Sequence, residues 1–171
     1  EGRTVEIERL GTFKPKINGQ FEFVANKRPS VFLAYVEEDR ARVEKVYDAL
    51  YRAGFDPWMD RRKLLAGQNW PRAIERAIGL ADFFVACFSE RAVLKRGTFQ
   101  SELRYALDCA RKTLLDDVFF IPARLDKCRV PARIQQQIQY VDLFPDFEAG
   151  LSKLVETIRG EVERRQVEQA A

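Results

Sequence analysis

The chain has 171 residues, 46% of them hydrophobic and 32% charged, with 29 Lys and Arg against 26 Asp and Glu. That length holds one domain with a full core and leaves little for a second, and mixed charge with 12% aromatics excludes a disordered tail. No apolar run approaches the roughly 18 residues of a membrane span. No signal-peptide pattern opens the chain, and a start at Glu1 rather than Met leads us to expect a fragment or a processed chain. A net charge of +3, with acids and bases interleaved, argues against nucleic acid as a partner. The absence of histidine removes the Ser-His-Asp and Cys-His arrangements and most zinc sites, so no metal is expected. Cys87, Cys109 and Cys128 stand about twenty residues apart with no C-x-x-C pair. So sparse and odd a count suits a reducing compartment, and Cys87, inside an apolar run, reads as a core thiol.

Residues 1–28 differ from the rest. Val5-Glu6-Ile7-Glu8 and Phe21-Glu22-Phe23 alternate, with Asn18-Gly19 between them, which suits either a short hairpin or a linker from a preceding domain. From Ser30 the pattern becomes regular. Val31-Phe32-Leu33-Ala34-Tyr35 reads as a buried strand. A helix follows from Glu38 to Arg52, with Val43, Val46, Tyr47, Leu50 and Tyr51 at helical spacing and Gly54 as its stop. Phe55–Met59 is a second strand, placed at a sheet edge by Pro57, which cannot donate a ladder hydrogen bond.

After a polar stretch from Asp60 to Asn69, a helix runs from Trp70 to Gly79 with Pro71 in its first turn. Phe83-Phe84-Val85-Ala86-Cys87-Phe88 is the most apolar run and the central strand. Ser89–Gly97 reads as a loop or short turn, and Gln100–Arg111 as a helix with Leu103, Ala106, Leu107 and Ala110 on one face. Strands over Val118–Ala123 and Gln139–Leu143 follow, then an amphipathic helix from Phe147 to about Val167. Alternating strands and helices imply a flavodoxin-like α/β sandwich: five parallel strands with helices on both faces. An edge second strand and a central third point to the order 2-1-3-4-5. The domain then covers 29–160, with 1–28 an extension or linker and 161–171 the end of the last helix.

In that order the ligand crevice lies at the carboxyl ends of strands one and three, where the winding reverses. It borders Ala34 and Tyr35, Phe88 and Ser89, the Asp60–Asn69 stretch, and Glu102 in the first turns of its helix. The G-x-G-x-x-G fingerprint and the phosphate loop are absent, and strand three closes with Phe88-Ser89 where a phospho-acceptor domain needs an aspartate. Hydride transfer, P-loop chemistry and phosphorelay are thereby excluded. What remains is one carboxylate, Glu102, with Tyr35, Trp58 and Phe88 and the arginines Arg61, Arg62 and Arg96 near the same end. An ionised carboxylate in a crevice can stabilise an oxocarbenium-like sugar cation or accept from a ribose hydroxyl. Aromatics can stack on a heterocycle, and arginines can pair with phosphates. The residues alone also allow the plainer reading, in which Glu102 caps a helix and Trp58 is core.

Four stretches, in this order and spacing, resemble a Toll/interleukin-1 receptor (TIR) domain of the bacterial type. They are Val31–Tyr35 with Glu38-Asp39; Gly54–Asp60 with Leu64–Trp70, similar to strand two and the BB loop; Ala81–Val85 through Phe88-Ser89; and Phe99-Gln100-Ser101-Glu102-Leu103. Ile121–Asp126 and Gln139–Leu143 also fit. The resemblance implies the same flavodoxin-like sheet. It implies cleavage of the bond between nicotinamide and ribose in NAD, a substrate rather than a cofactor, to nicotinamide and ADP-ribose or a cyclised form. Glu102 is then the catalytic residue. Tyr35, Trp58, Phe88, Ser89 and Phe99 would shape the pocket, with Asp60 and Arg61 in the loop closing over it. Nicotinamide leaves as a neutral molecule, so no general acid is required. The resemblance also implies self-association with other TIR domains through the BB loop, to which Leu64, Leu65 and Gly67 belong, and a sensor domain in a longer chain or complex. The setting it implies is a cytoplasmic effector of bacterial immunity. The rival reading is a non-catalytic scaffold acting only through contacts between TIR domains. Two departures from the family pattern stand out: Thr98-Phe99 where many active members carry a bulky aromatic before the glutamate, and Ala34-Tyr35 where the first box often ends Ser-Tyr.

Overall fold

The run Phe83–Phe88 is buried at every position, and the domain is built outward from it. The protein is seen here in a computed structural model that describes residues 5–7, 11–15, 20–25, 28–59, 69–114 and 116–170. In chain order the elements are β1 (Val5–Ile7), β2 (Gly11–Pro15), β3 (Phe21–Ala25), β4 (Ser30–Ala34), a 3-10 turn (Glu37–Asp39), α1 (Arg40–Arg52), β5 (Asp56–Trp58), α2 (Trp70–Leu80), β6 (Phe83–Phe88), α3 (Glu90–Leu94), α4 (Thr98–Ala110), β7 (Phe120–Arg124), α5 (Ala132–Gln135), β8 (Val141–Asp142) and α6 (Phe147–Ala170).

Five strands form one parallel sheet in the order β5-β4-β6-β7-β8. Counted from β4, this is the expected 2-1-3-4-5. The pleat sends alternate residues of each strand to opposite faces, so a strand covered on both sides must be apolar throughout. Phe83, Val85 and Cys87 join Val31 and Leu33 against α1 and α6, through Val43, Val46, Leu50, Leu154 and Ile158. Phe84, Ala86 and Phe88 join Phe32 and Ala34 against α2 and α4, through Ile74, Ile78, Leu103 and Ala106. Each large side chain buried this way contributes about 1.5–3 kcal/mol.

The sequence punctuation acts where expected. Gly54 adopts a φ of +96°, a left-handed conformation that ends α1 and turns the chain into β5. Pro57 sits on edge strand β5, paired only with β4. Pro122 lies inside β7, but β8 begins only opposite Ala123, so the missing N–H faces no ladder partner. The expected fourth strand, Val118–Ala123, is found at Phe120–Arg124, starting two residues later and ending one later. The Ser89–Gly97 stretch contains the short helix α3.

The N-terminal segment holds an antiparallel sheet in the order β1-β2-β3. Phe21–Ala25 pairs with Gly11–Pro15, and Val5–Ile7 lies on the far side of β2. The alternation expected for a hairpin was thus real, but the two alternating stretches are not each other's partners. The strand between them opens on Gly11 and closes on Pro15, residues depleted in strands. Asn18-Gly19 lie outside the described residues. Among the described residues no helix is long and apolar enough to cross a membrane.

Candidate active site

Three strand ends meet at the carboxyl rim of the sheet, and one buried carboxylate ties them together. Asp39, 1% exposed, closes the 3-10 turn that follows β4. Its two oxygens accept from the Ser89 hydroxyl and the Arg42 guanidinium. Arg42 also reaches Oδ2 of Asp126 and the Leu125 carbonyl, each at 3.2 Å. Asp126 in turn accepts from the Glu90 backbone N–H at 3.0 Å. Ser89 accepts from the Ala92 N–H at 3.1 Å, which makes it the N-cap of α3. Burying a charge is costly unless it is paired, and here every oxygen has a donor.

Held by this network, α3 delivers Lys95, Arg96 and Gly97 to the rim. Lys95 contacts both carboxylate oxygens of Glu38 at 2.7 Å and holds that carboxyl below its ordinary range. Gly97, at a φ of +117°, makes the reversal into α4 that a side chain would strain. Thr98 and Phe99 then start α4, and Glu102 follows one turn later.

Two adjoining hollows open between these elements. The first, of about 280 Å³, lies between the Tyr35–Glu37 segment and the turn from Lys95 to Phe99, with Glu102 at its wall. The second, of about 410 Å³, runs between α2 and α4 and is faced by Pro71, Ile74, Ile78 and Tyr105. Glu102, Trp70, Gly97 and Thr98 border both. The first hollow carries the charged groups Glu37, Lys95 and Arg96; the second is mainly apolar. Glu102 is only 8% exposed, so its carboxylate stands where water is scarce and electrostatic effects are strong.

Of the residues expected at the site, Glu102, Tyr35 and Phe99 border the first hollow. Phe88 and Ser89 lie beneath the wall rather than in it. Both are fully buried; Phe88 meets Phe99 edge-on with ring centres 5.7 Å apart, and Ser89 is occupied by Asp39 and its capping bond. Trp58 is half-buried, stacks on Phe32 at 4.7 Å and packs against the core cluster that holds Ile74 and Ile78; it is not among the residues that line the two hollows. Asp60, Arg61, Leu64, Leu65 and Gly67 lie outside the described residues. Trp70 was missed. It is 49% exposed and borders both hollows. The strand order could have found it, because the helix after an edge strand begins at the rim where the crevice opens. Among the described residues no group of His, Cys, Asp and Glu side chains is arranged to hold a metal ion.

An open five-stranded parallel sheet in this order, with helices on both faces, is the fold of a TIR domain. The family model for the TIR domain matches residues 31–155, and the chain belongs to that family. No curated protein matches it in sequence. Among solved structures it is similar to the TIR domain of the Toll-related receptor TRR-2 from Hydra magnipapillata, at 21% identity and a TM-score of 0.58 over 74% of this chain and 97% of that one. It is also similar to the TIR domains of the activated Roq1 resistosome, which recognises the pathogen effector XopQ (20% identity, TM-score 0.57, 78% of this chain and 99% of that one). A third is the heterodimer of the RPS4 and RRS1 TIR domains (13%, TM-score 0.53, 79% and 98%). At these identities the likeness is one of fold.

Proposed function

We propose that this TIR domain is an NAD glycohydrolase, and that Glu102 is its catalytic residue. The observation that carries the reading is the position of one carboxylate, 8% exposed yet bordering two hollows at the sheet's switch point. In the reaction, the bond between ribose C1′ and the nicotinamide nitrogen breaks and its electron pair leaves with nicotinamide. The positive charge of the pyridinium moves to the ribose as an oxocarbenium-like centre. Glu102 opposes that charge and accepts from the ribose hydroxyls. Water adds to C1′ and releases a proton, giving ADP-ribose; attack by the adenine ring instead gives a cyclic product. No proton has to be delivered to the leaving group, which suits a chain without histidine.

Activity is gained on self-association with other TIR domains, with a sensor domain supplying the trigger in bacterial immunity. The Roq1 TIR domains, seen in an activated resistosome, and the RPS4–RRS1 TIR heterodimer support association as the mode of action. A cytoplasmic setting is supported by Cys87, Cys109 and Cys128, all free thiols.

The test is nicotinamide release from NAD by the concentrated protein and by the protein fused to an oligomerising coil. Release that falls about a hundredfold or more in Glu102→Ala, with unchanged circular dichroism, supports the enzyme. No release from any assembly leaves the scaffold reading in possession.

A further inference from the structure

The two hollows differ in chemistry, and Trp70 is the wall they share. The first carries Arg96, with Glu37 and with Lys95 in its pair with Glu38, and Arg96 suits the anionic part of a dinucleotide. The second offers Ile74, Ile78 and Tyr105 and suits a flat aromatic ring, which beside an indole can also be a cation. Trp70 is half exposed at the first position of α2. A rigid helix end capped by Asn69, whose side chain accepts from the Arg72 N–H at 3.2 Å, carries it. On the α4 side of the cleft, Thr98 offers no ring. The other tryptophan, Trp58, is committed to Phe32.

We infer that Trp70 is the specificity-determining wall of the site, on which the nicotinamide ring stacks inside the apolar hollow between α2 and α4 while the diphosphate lies toward Arg96. The scissile bond then spans Glu102, where the two hollows join. This assignment rests on the NAD glycohydrolase reading for the substrate. Its direct consequence, a site for a neutral carboxamide-bearing heterocycle beside Trp70, is open to a binding measurement without turnover.

The experiment uses the full chain in the coil-fused assembly. Trp58→Phe keeps a ring against Phe32 and leaves Trp70 as the single indole. Free nicotinamide is expected to quench its fluorescence saturably, because a stacked ring sits on the indole face. Trp70→Ala is expected to raise both the KM for NAD and the inhibition constant of nicotinamide about tenfold, and Trp70→Phe to restore most of the loss. Linear, unsaturable quenching, or unchanged KM and nicotinamide inhibition in a folded Trp70→Ala protein that still turns over NAD, overturns the assignment. If no assembly releases nicotinamide, the glycohydrolase reading falls, and saturable or linear quenching still decides for or against the ring site.

Discussion

The Ser89 hydroxyl donates to Oδ2 of Asp39, fifty positions earlier in the chain, and both side chains are buried. One residue ends the central strand and the other closes the turn after β4. Through Arg42 and Asp126 the same bond reaches the end of β7. Three strand ends are thus fastened by polar contacts, because an apolar core stops at the rim and cannot do it. What the network positions is the segment from Lys95 to Gly97, and through it the start of α4 and Glu102.

Removing the acceptor is therefore costly. Asp39→Ala leaves the Ser89 hydroxyl buried without its partner and Arg42 with only the Asp126 side, and is expected to lose about 2–3 kcal/mol. Ser89→Ala loses an N-cap and leaves Asp39 Oδ2 buried without its donor, for about 2–3 kcal/mol. Urea midpoints at constant m-value measure both. A wild-type midpoint in Asp39→Ala would mean that the rim is held by packing alone.

Two glycines of α6 give opposite outcomes for the same substitution. A methyl group on Gly150 would lie 2.5 Å from the Asp142 carbonyl oxygen and 2.6 Å from Leu143 Cα, both backbone atoms of the β8 segment. Gly150→Ala must push α6 off the sheet, at about 3 kcal/mol or more. At Gly160 nothing lies within 4 Å, so Gly160→Ala is expected to stabilise the helix by about 0.5–1 kcal/mol. Thermal unfolding of the two variants side by side reads the sign directly.

These pairs show what a sequence can and cannot carry. The strand order was legible because Phe83–Phe88 has no polar residue to turn toward water and Pro57 has no N–H to give a neighbour. From that order the place of Glu102 followed. Trp58 and Trp70 were harder: both stand near the same rim, and only the stack of Trp58 on Phe32 separates core from cleft. Asp39 stands in a stretch that resembles a family box, and nothing in the sequence shows its partner. Its partner lies on another strand, and no periodicity reports a contact across fifty residues. The strand Gly11–Pro15 escaped because its end residues argue against a strand and only its neighbours supply the pairing.

The cysteines are predicted to be poor nucleophiles in the folded protein. Burial pushes the Cys87 thiol up to about 12 and the Cys128 thiol up to about 11, and burial raises Cys109 as well. At pH 8 nearly all of each is protonated, and the thiolate is the reactive form. Iodoacetamide at pH 8 should leave Cys87 unlabelled in the native state and label it fully in urea, as read by mass spectrometry. Native labelling at Cys87 as fast as at half-buried Cys109 would contradict its place at the centre of the sheet.

At the opposite end of the sheet, Glu161 of α6 governs acid stability. Glu161 is 6% exposed, and its carboxylate accepts from Arg164 and Arg165 at 2.7 and 2.8 Å and from the Val118 N–H at 3.1 Å. The Arg164 bond, with the Val118 and Arg165 bonds, lowers its pKa from 4.5 to about 2. Two further carboxylates face the cluster through Arg164: Asp117 at 2.9 Å and Glu168 at 2.5 Å. A folded pKa below the unfolded one means that the stabilisation is complete above about pH 4.5 and is lost as the pH falls toward about 2. Glu161→Gln is expected to lose about 2–3 kcal/mol at pH 7, where the carboxylate is fully charged. The gap between wild type and variant should then close between pH 4.5 and 2. Urea midpoints of both proteins across that range measure it. A gap that stays constant with pH would assign the role of Glu161 to packing rather than to charge.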